Sequence, residues 1–319
     1  MLNRKQLREG KMVKKNKRKI WRKQDIPLYI MAAPTVILLI LFSYLPMVWL
    51  IMAFKNFNVS KGLLGSEWVG FKNFEFLFAS SDAWRITRNT VAYNVVFIFL
   101  NMILAVTLAL MLSELHSRFM SKTLQTIFMM PYFLSWACVS IIVTAFLDRS
   151  NGMLNQIMVM FGGNGKTDWY KKIEIWPYLL TLVNAWKGVG YSAVLYIAVI
   201  SGISREYYEA AVLDGATKFQ QARYITIPHL RFVIAISLIM AMGSIFRGDF
   251  GLFYTVTKDT GALYPVTDVL DTYIYRGLMN LGNVGMTTAA GFYQSVVGLI
   301  AILIANKIVS KLDPDSAMF

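Results

Sequence analysis

Apolar residues in this 319-residue chain come in long unbroken blocks rather than at a helical or strand period. The segments 26–54, 89–113, 123–147 and 277–306 contain no charged residue. A run of about 20 apolar residues is long enough to cross a bilayer as a helix. A helix of a soluble core would instead carry a polar stripe on its outer face, and these runs do not. The pattern predicts six spans. The first is 28–54, with Pro34 and Pro46 as kinks, followed by 89–113 and 123–147. The fourth, 176–203, is interrupted by Lys187, Gly188 and Gly190; the fifth, 232–254, carries Arg247 and Asp249 near its end; the sixth is 284–306. The fold class that follows is all-α, a polytopic membrane protein with six transmembrane helices. No internal repeat marks two fused halves of a transporter.

Composition sharpens this. Hydrophobic residues make up 56% and charged residues 16%, with a mean hydropathy of +0.49; soluble domains carry about 25% charged residues. The net charge of +14 is uneven. Residues 1–25 hold eleven Lys and Arg against Glu9 and Asp25. Next to a membrane helix such a run reads as a cytoplasmic tail touching anionic lipid heads, not as a nucleic-acid arm. The first apolar block is too long for a signal peptide and lacks its small-residue cleavage site. Both termini are then cytoplasmic in the cell membrane, with 55–88, 148–175 and 255–283 outside and 114–122, 204–231 and 307–319 inside. The predicted organisation is a basic cytoplasmic tail (1–25), a membrane domain (26–312) containing a cytoplasmic loop (204–230), and a cytoplasmic C-terminal tail (313–319).

Catalytic signatures are thin. GGNGKT at 162–167 resembles the end of a phosphate-binding loop, but Met160 stands where the first glycine is required. His116 and His229 are not at metal-ligand spacing, and the single cysteine, Cys138, can form neither an intrachain disulfide nor a thiolate cluster. Ser192 and Ser201 lie in apolar helix, where hydroxyls usually bond the backbone. Trp49, Trp84 and Trp136 read as packing or interfacial anchors, as do most aromatics of WVGFKNFEFLF in 55–88.

One polar segment breaks the pattern: EYYEAAVLDGATKFQQARYITIP, 206–228. Ser204 predicts an N-cap, and Glu206 and Glu209 suit the N-terminal part of the helix it starts. Gly215 supplies a left-handed stop. A second short helix, 217–226, follows, and Pro228 marks the return to the membrane. The product is a helix–turn–helix elbow on the cytoplasmic face. By composition alone it also fits a connecting loop lying on lipid heads.

The segment resembles the EAA loop of ABC importer permeases, on Glu209, Ala210, Ala211, Asp214, Gly215, Ala216, Ile225 and Pro228. It departs mildly from that pattern at Ala222 and Ile227, where Phe219 and Tyr224 offer aromatic packing instead. The resemblance extends to SIFRGDFGLFYTVT (244–257), DVLDTYIYRGL (268–278) and the terminal DPDSAMF, which are similar to carbohydrate-uptake permeases serving oligo- and polysaccharides with a separate binding lipoprotein. It implies the type I ABC importer permease fold and a half-channel. A second permease, two cytoplasmic ATPase subunits and an extracellular solute-binding protein would be its partners. No cofactor is then expected on this chain; ATP and Mg sit on the ATPases, and the chain is a transporter subunit rather than an enzyme. The resemblance also implies that the elbow, Tyr208 included, docks on the ATPase.

Charges within the spans mark a candidate path, because charge deep in lipid is costly. Arg247 and Asp249 admit two readings: a structural ion pair or gate, or part of a polar sugar cavity with Lys187. In the second reading Tyr191, Phe250 and Tyr254 stack on sugar faces, and Arg247 or Lys187 holds a uronate carboxylate, which points to acidic oligosaccharides. The alternatives are an importer permease for another small solute, or a channel or scaffold without ATP coupling.

Overall fold

Backbone amides in an apolar surrounding must find partners inside the chain, and helices supply them locally. The computed structural model describes residues 26–75 and 81–312 and is almost entirely helical. The predicted tails, 1–25 and 313–319, lie outside the described residues. Five helices are long and apolar enough to cross a membrane, and a bent pair makes a sixth span.

The chain divides at Leu50 into two units. In the first, Ile26–Leu39 is regular α-helix with Pro34 inside it, and none of its residues is buried. Pro34 produces no change of helix type. Before Pro46 the helix widens to a π-turn, Ile40–Tyr44, then tightens to a 3-10 helix, Leu45–Phe54. The ring nitrogen of Pro46 cannot donate to a carbonyl a turn back, and the altered winding accommodates that.

The second unit holds the other spans. The second span, Ser81–Ser113, starts eight residues before the predicted 89. Its first turns are charged but paired: Arg85 meets Asp82 at 2.7 Å and Asp268 at 3.6 Å. The second and fourth spans approach closely at Ala105, Ala109 and Ala193, all buried, as small residues permit. Phe54 gathers Trp68, Phe71, Phe74 and Phe292 around it, with centroids 5.5–5.7 Å away. Those aromatics of the 55–88 segment therefore form a cluster against the sixth span, Val284–Leu312.

The predicted third span, 123–147, is two helices. Arg118–Phe133 and Trp136–Leu147 meet at 97°. The fourth, Trp176–Ser201, runs unbroken through Lys187, Gly188 and Gly190, so the expected interruption is absent. Those residues serve the neighbouring bend instead. Lys187 Nζ donates to the carbonyls of Tyr132 (2.8 Å), Pro131 (3.4 Å) and Leu134, groups that the bend removes from regular helix. A Cβ on Gly190 would lie 1.9 Å from the Phe128 carbonyl oxygen, so only glycine lets the bent segment come this close.

The fifth span also departs from expectation. It begins at Lys218 and ends at Met242 as one continuous span. The predicted second elbow helix, 217–226, is its first turns: Lys218–Gln221 and a π-turn, Ala222–Thr226. Pro228 lies directly after that π-turn, at the start of Ile227–Met242, and the altered winding accommodates its missing amide. Residues 243–249 are non-helical, followed by a short π-helix, Gly251–Val256. Leu252, Phe253 and Val256 are buried with Val139, Val143 and Leu180, so this piece is tucked among the helices instead of prolonging span five.

Candidate functional site

The elbow is built from capping chemistry. Ser204 Oγ accepts from the Glu206 amide at 3.3 Å, starting the helix Arg205–Leu213. At its end Ala216 N donates to Ala211 O (2.8 Å) and Gly215 N to Val212 O (3.0 Å), the paired bonds of a Schellman stop. Gly215 has φ +77° with open space around it. Thr217 then caps the next helix reciprocally with Gln220. Two contacts brace the elbow: Tyr208 Oη to Thr226 Oγ1 at 2.9 Å, and Lys218 to Glu114 at 2.8 Å.

Glu209, Ala210, Asp214, Gly215 and Pro228 are exposed, while Tyr208, Ala211, Ala216 and Ile225 are half-buried. The elbow also presents Leu213 at 89% and Phe219 at 73% exposure. Apolar side chains this open, beside the exposed carboxylates, form a surface suited to a protein partner. Tyr208, given its bond to Thr226, works within the elbow.

A second feature is a cavity of about 480 Å³ among the second, fourth and fifth spans and the 247–249 linker. Its polar lining includes Asn94, Asn101, Asn184, Ser192, Ser237 and Arg247. Asn94 Nδ2 donates to the carbonyls of Ile245 (3.0 Å) and Arg247 (2.9 Å), fixing the non-helical linker. Asn101 Nδ2 donates to Asn184 Oδ1 at 2.8 Å, leaving Asn101 Oδ1 buried without a partner. Such an orphan acceptor is costly.

The six predicted path residues separate into three groups. Arg247 and Asp249 both line the cavity but form no ion pair with one another. Asp249 Oδ1 accepts from the Leu252 amide at 3.3 Å, capping the short π-helix. The Arg247 guanidinium has no hydrogen bond or ion pair among the described residues. Lys187 lies at the bend, its ammonium between the Tyr132 and Trp136 rings at 5.7 and 5.2 Å, and Tyr191 stacks on Tyr132 at 4.0 Å. Phe250 and Tyr254 stack at 4.7 Å with Tyr275 completing a triangle at 4.8 and 5.0 Å. Sequence reasoning missed Tyr275 and the asparagines. The tyrosine sits inside DTYIYRGL, where only its spacing from Arg276 and Asp271 draws notice.

At the far end from the elbow, Arg276 bridges Asp259 (2.8 Å) and Asp268 and lies over the Tyr264 ring at 4.2 Å. The 162–167 stretch is a turn with Gly162 and Gly165 at positive φ, followed by no long helix until Trp176.

Comparison with known proteins agrees with this architecture. The Polygalacturonan/rhamnogalacturonan transport system permease protein YteP of Bacillus subtilis (strain 168) is 32% identical over 306 residues, covering 93% of each chain. A solved bacterial ABC transporter involved in the import of the acidic polysaccharide alginate contains a chain with TM-score 0.82 and 32% identity, covering 91% of this chain and 97% of that one. The alginate transporter solved in complex with an alginate pentasaccharide-bound periplasmic protein gives TM-score 0.82 and 31% identity, covering 91% and 96%. Residues 101–314 match the family described as Binding-protein-dependent transport system inner membrane component. The cavity, the elbow and the bent third span are thus parts of a type I ABC importer permease, and the chain belongs to the binding-protein-dependent inner membrane components.

Proposed function

We propose that this chain is one permease subunit of an ATP-driven importer of acidic, uronate-bearing oligosaccharides. It forms half of the translocation path, beside a second permease subunit. An extracellular binding protein delivers the glycan, and two ATPase subunits, which hold ATP and Mg, engage the elbow on the cytoplasmic side, where both termini also lie. ATP-driven closure of the ATPases moves the elbows and biases the spans between two packed states.

The observation that carries the substrate class is the Arg247 guanidinium, without a hydrogen bond among the described residues, in a cavity whose other polar lining is carboxamides, hydroxyls and the Asp249 carboxylate, which the Leu252 amide already engages. A planar fork suits a carboxylate, and the amides suit sugar hydroxyls. The likeness to permeases of polygalacturonan and alginate transport supports this choice. Lys187 is a poorer carboxylate ligand, since its ammonium already serves three carbonyls.

Uptake into proteoliposomes tests the reading. Arg247→Gln should lower transport of acidic oligosaccharides about tenfold or more, the worth of one charge-assisted hydrogen bond, and spare neutral ones. Equal loss on both rejects carboxylate recognition. Gly215→Arg should abolish ATP-driven uptake while the chain still inserts; intact uptake rejects coupling through the elbow.

A further inference from the structure

A cavity of about 720 Å³ lies behind the elbow, between it, the 114–122 connection and the ends of the second and fourth spans. Arg118, Lys122, Arg205 and Lys218 line it, and Glu114 is the one acid among its lining residues. Lys218 already holds Glu114 at 2.8 Å. Arg118, Lys122 and Arg205 have no ion pair or side-chain hydrogen bond among the described residues. Four cations gathered around one space give it a positive potential that favours an anion. The rest of the lining mixes polar side chains, among them His116, Gln125 and Ser201, with an apolar group, Leu112, Ile197 and Ile200, from the ends of two spans. The cavity therefore offers both cations and apolar side chains: Arg118, Lys122, Arg205 and Lys218 from three elements, and Leu112, Ile197 and Ile200 from span ends.

We propose that this cavity binds a phosphate-bearing anion, and that the headgroup of an anionic phospholipid is its source. The proposal rests on the cytoplasmic placement of the elbow given above. Cytoplasmic leaflets are rich in anionic lipid, and basic residues near them gain roughly 1 kcal/mol each. Guanidinium groups match phosphate oxygens in pairs. A soluble phosphate would use only the cations, whereas a lipid uses the apolar side chains too. Arg205 opens the elbow helix, Lys218 opens the fifth span and Arg118 opens the third. One bound phosphate would tie both limbs of the elbow to the bent span, making the elbow's position depend on the lipid around it.

The test uses the whole importer, with ATPase subunits and binding protein, in discs of phosphatidylcholine with or without phosphatidylglycerol. Native mass spectrometry reads retained lipid, and substrate-stimulated ATP hydrolysis reads coupling. The parent complex should retain phosphatidylglycerol and hydrolyse faster in its presence. Arg118→Gln with Lys122→Gln should weaken retention about thirtyfold, the equivalent of two such charges, and lose the lipid response. The charge-conserving pair Arg118→Lys with Lys122→Arg should keep both, which separates charge from folding. Pyrophosphate reproducing the response in phosphatidylcholine discs, for the parent and not the double Gln variant, upholds the phosphate site and makes its source soluble. Equal phosphatidylglycerol retention by parent and double Gln variant overturns the proposal. So does a double Gln variant that sheds its ATPase subunits with lipid retention unchanged, since the cluster then faces an acidic protein surface. A parent complex without ATPase subunits, or without substrate-stimulated hydrolysis in any lipid, would instead count against the importer reading itself.

Discussion

Two places in this chain set charge and glycine against an apolar background: the elbow at 204–217 and the Lys187–Gly190 stretch of the fourth span. The elbow breaks its own chain. Gly215 takes φ +77° with nothing near it, so the requirement there is conformational. Lys187 and Gly190 break nothing locally; their helix runs straight past them. They serve a break in another helix, one residue by donating to its freed carbonyls and the other by giving its backbone room. Local interruptions and remote ones look alike in a hydropathy trace. They differ in whether the capping partners lie within a few residues.

That contrast can be broken by mutation, and the largest effect is expected at Lys187. Lys187→Met removes the donor from three carbonyls in a low-dielectric setting and should cost about 3 kcal/mol or more, read as a fall in the thermal midpoint of the solubilised permease. An unchanged midpoint would mean the bend satisfies itself. Gly190→Ala places a methyl against a backbone oxygen and should cost about 2 kcal/mol in the same assay, although alanine is the better helix former. A gain in stability there would show that the close approach at Phe128 is not required. Ser204→Ala, at the local break, should cost about 1 kcal/mol. It should appear as faster hydrogen exchange at the start of the elbow helix, with the global midpoint unmoved. A global shift would show that the elbow is part of the permease core.

The same distinction explains what was legible beforehand. The Ser204 cap and the Gly215 stop follow from neighbours within a few residues and stand where they were read; the number of spans follows from the apolar runs, but the bend in the third and the bounds of the second and fifth do not. The end of the fifth span at Met242 was not legible. Residues 243–254 remain mostly apolar, and the carboxamide that fixes the linker, Asn94, comes from the second span. Similarly, Arg247 and Asp249 look like a pair by spacing. The Leu252 amide claims Asp249, and no periodicity could announce that. The extra turns of the second span hinge on Arg85 meeting Asp268 across the fold.

Asn94 has a further consequence, for synthesis. Its acceptors at Ile245 and Arg247 lie 151 and 153 residues downstream. At typical translation speeds they emerge roughly ten to thirty seconds later. During that delay the Asn94 carboxamide is already committed to the second span, and the Thr90 carbonyl, one turn back at 2.9 Å, is within its reach. In the folded chain the carboxamide keeps that bond beside its two bonds to the linker, so the second span carries a partner for this polar group before the linker exists.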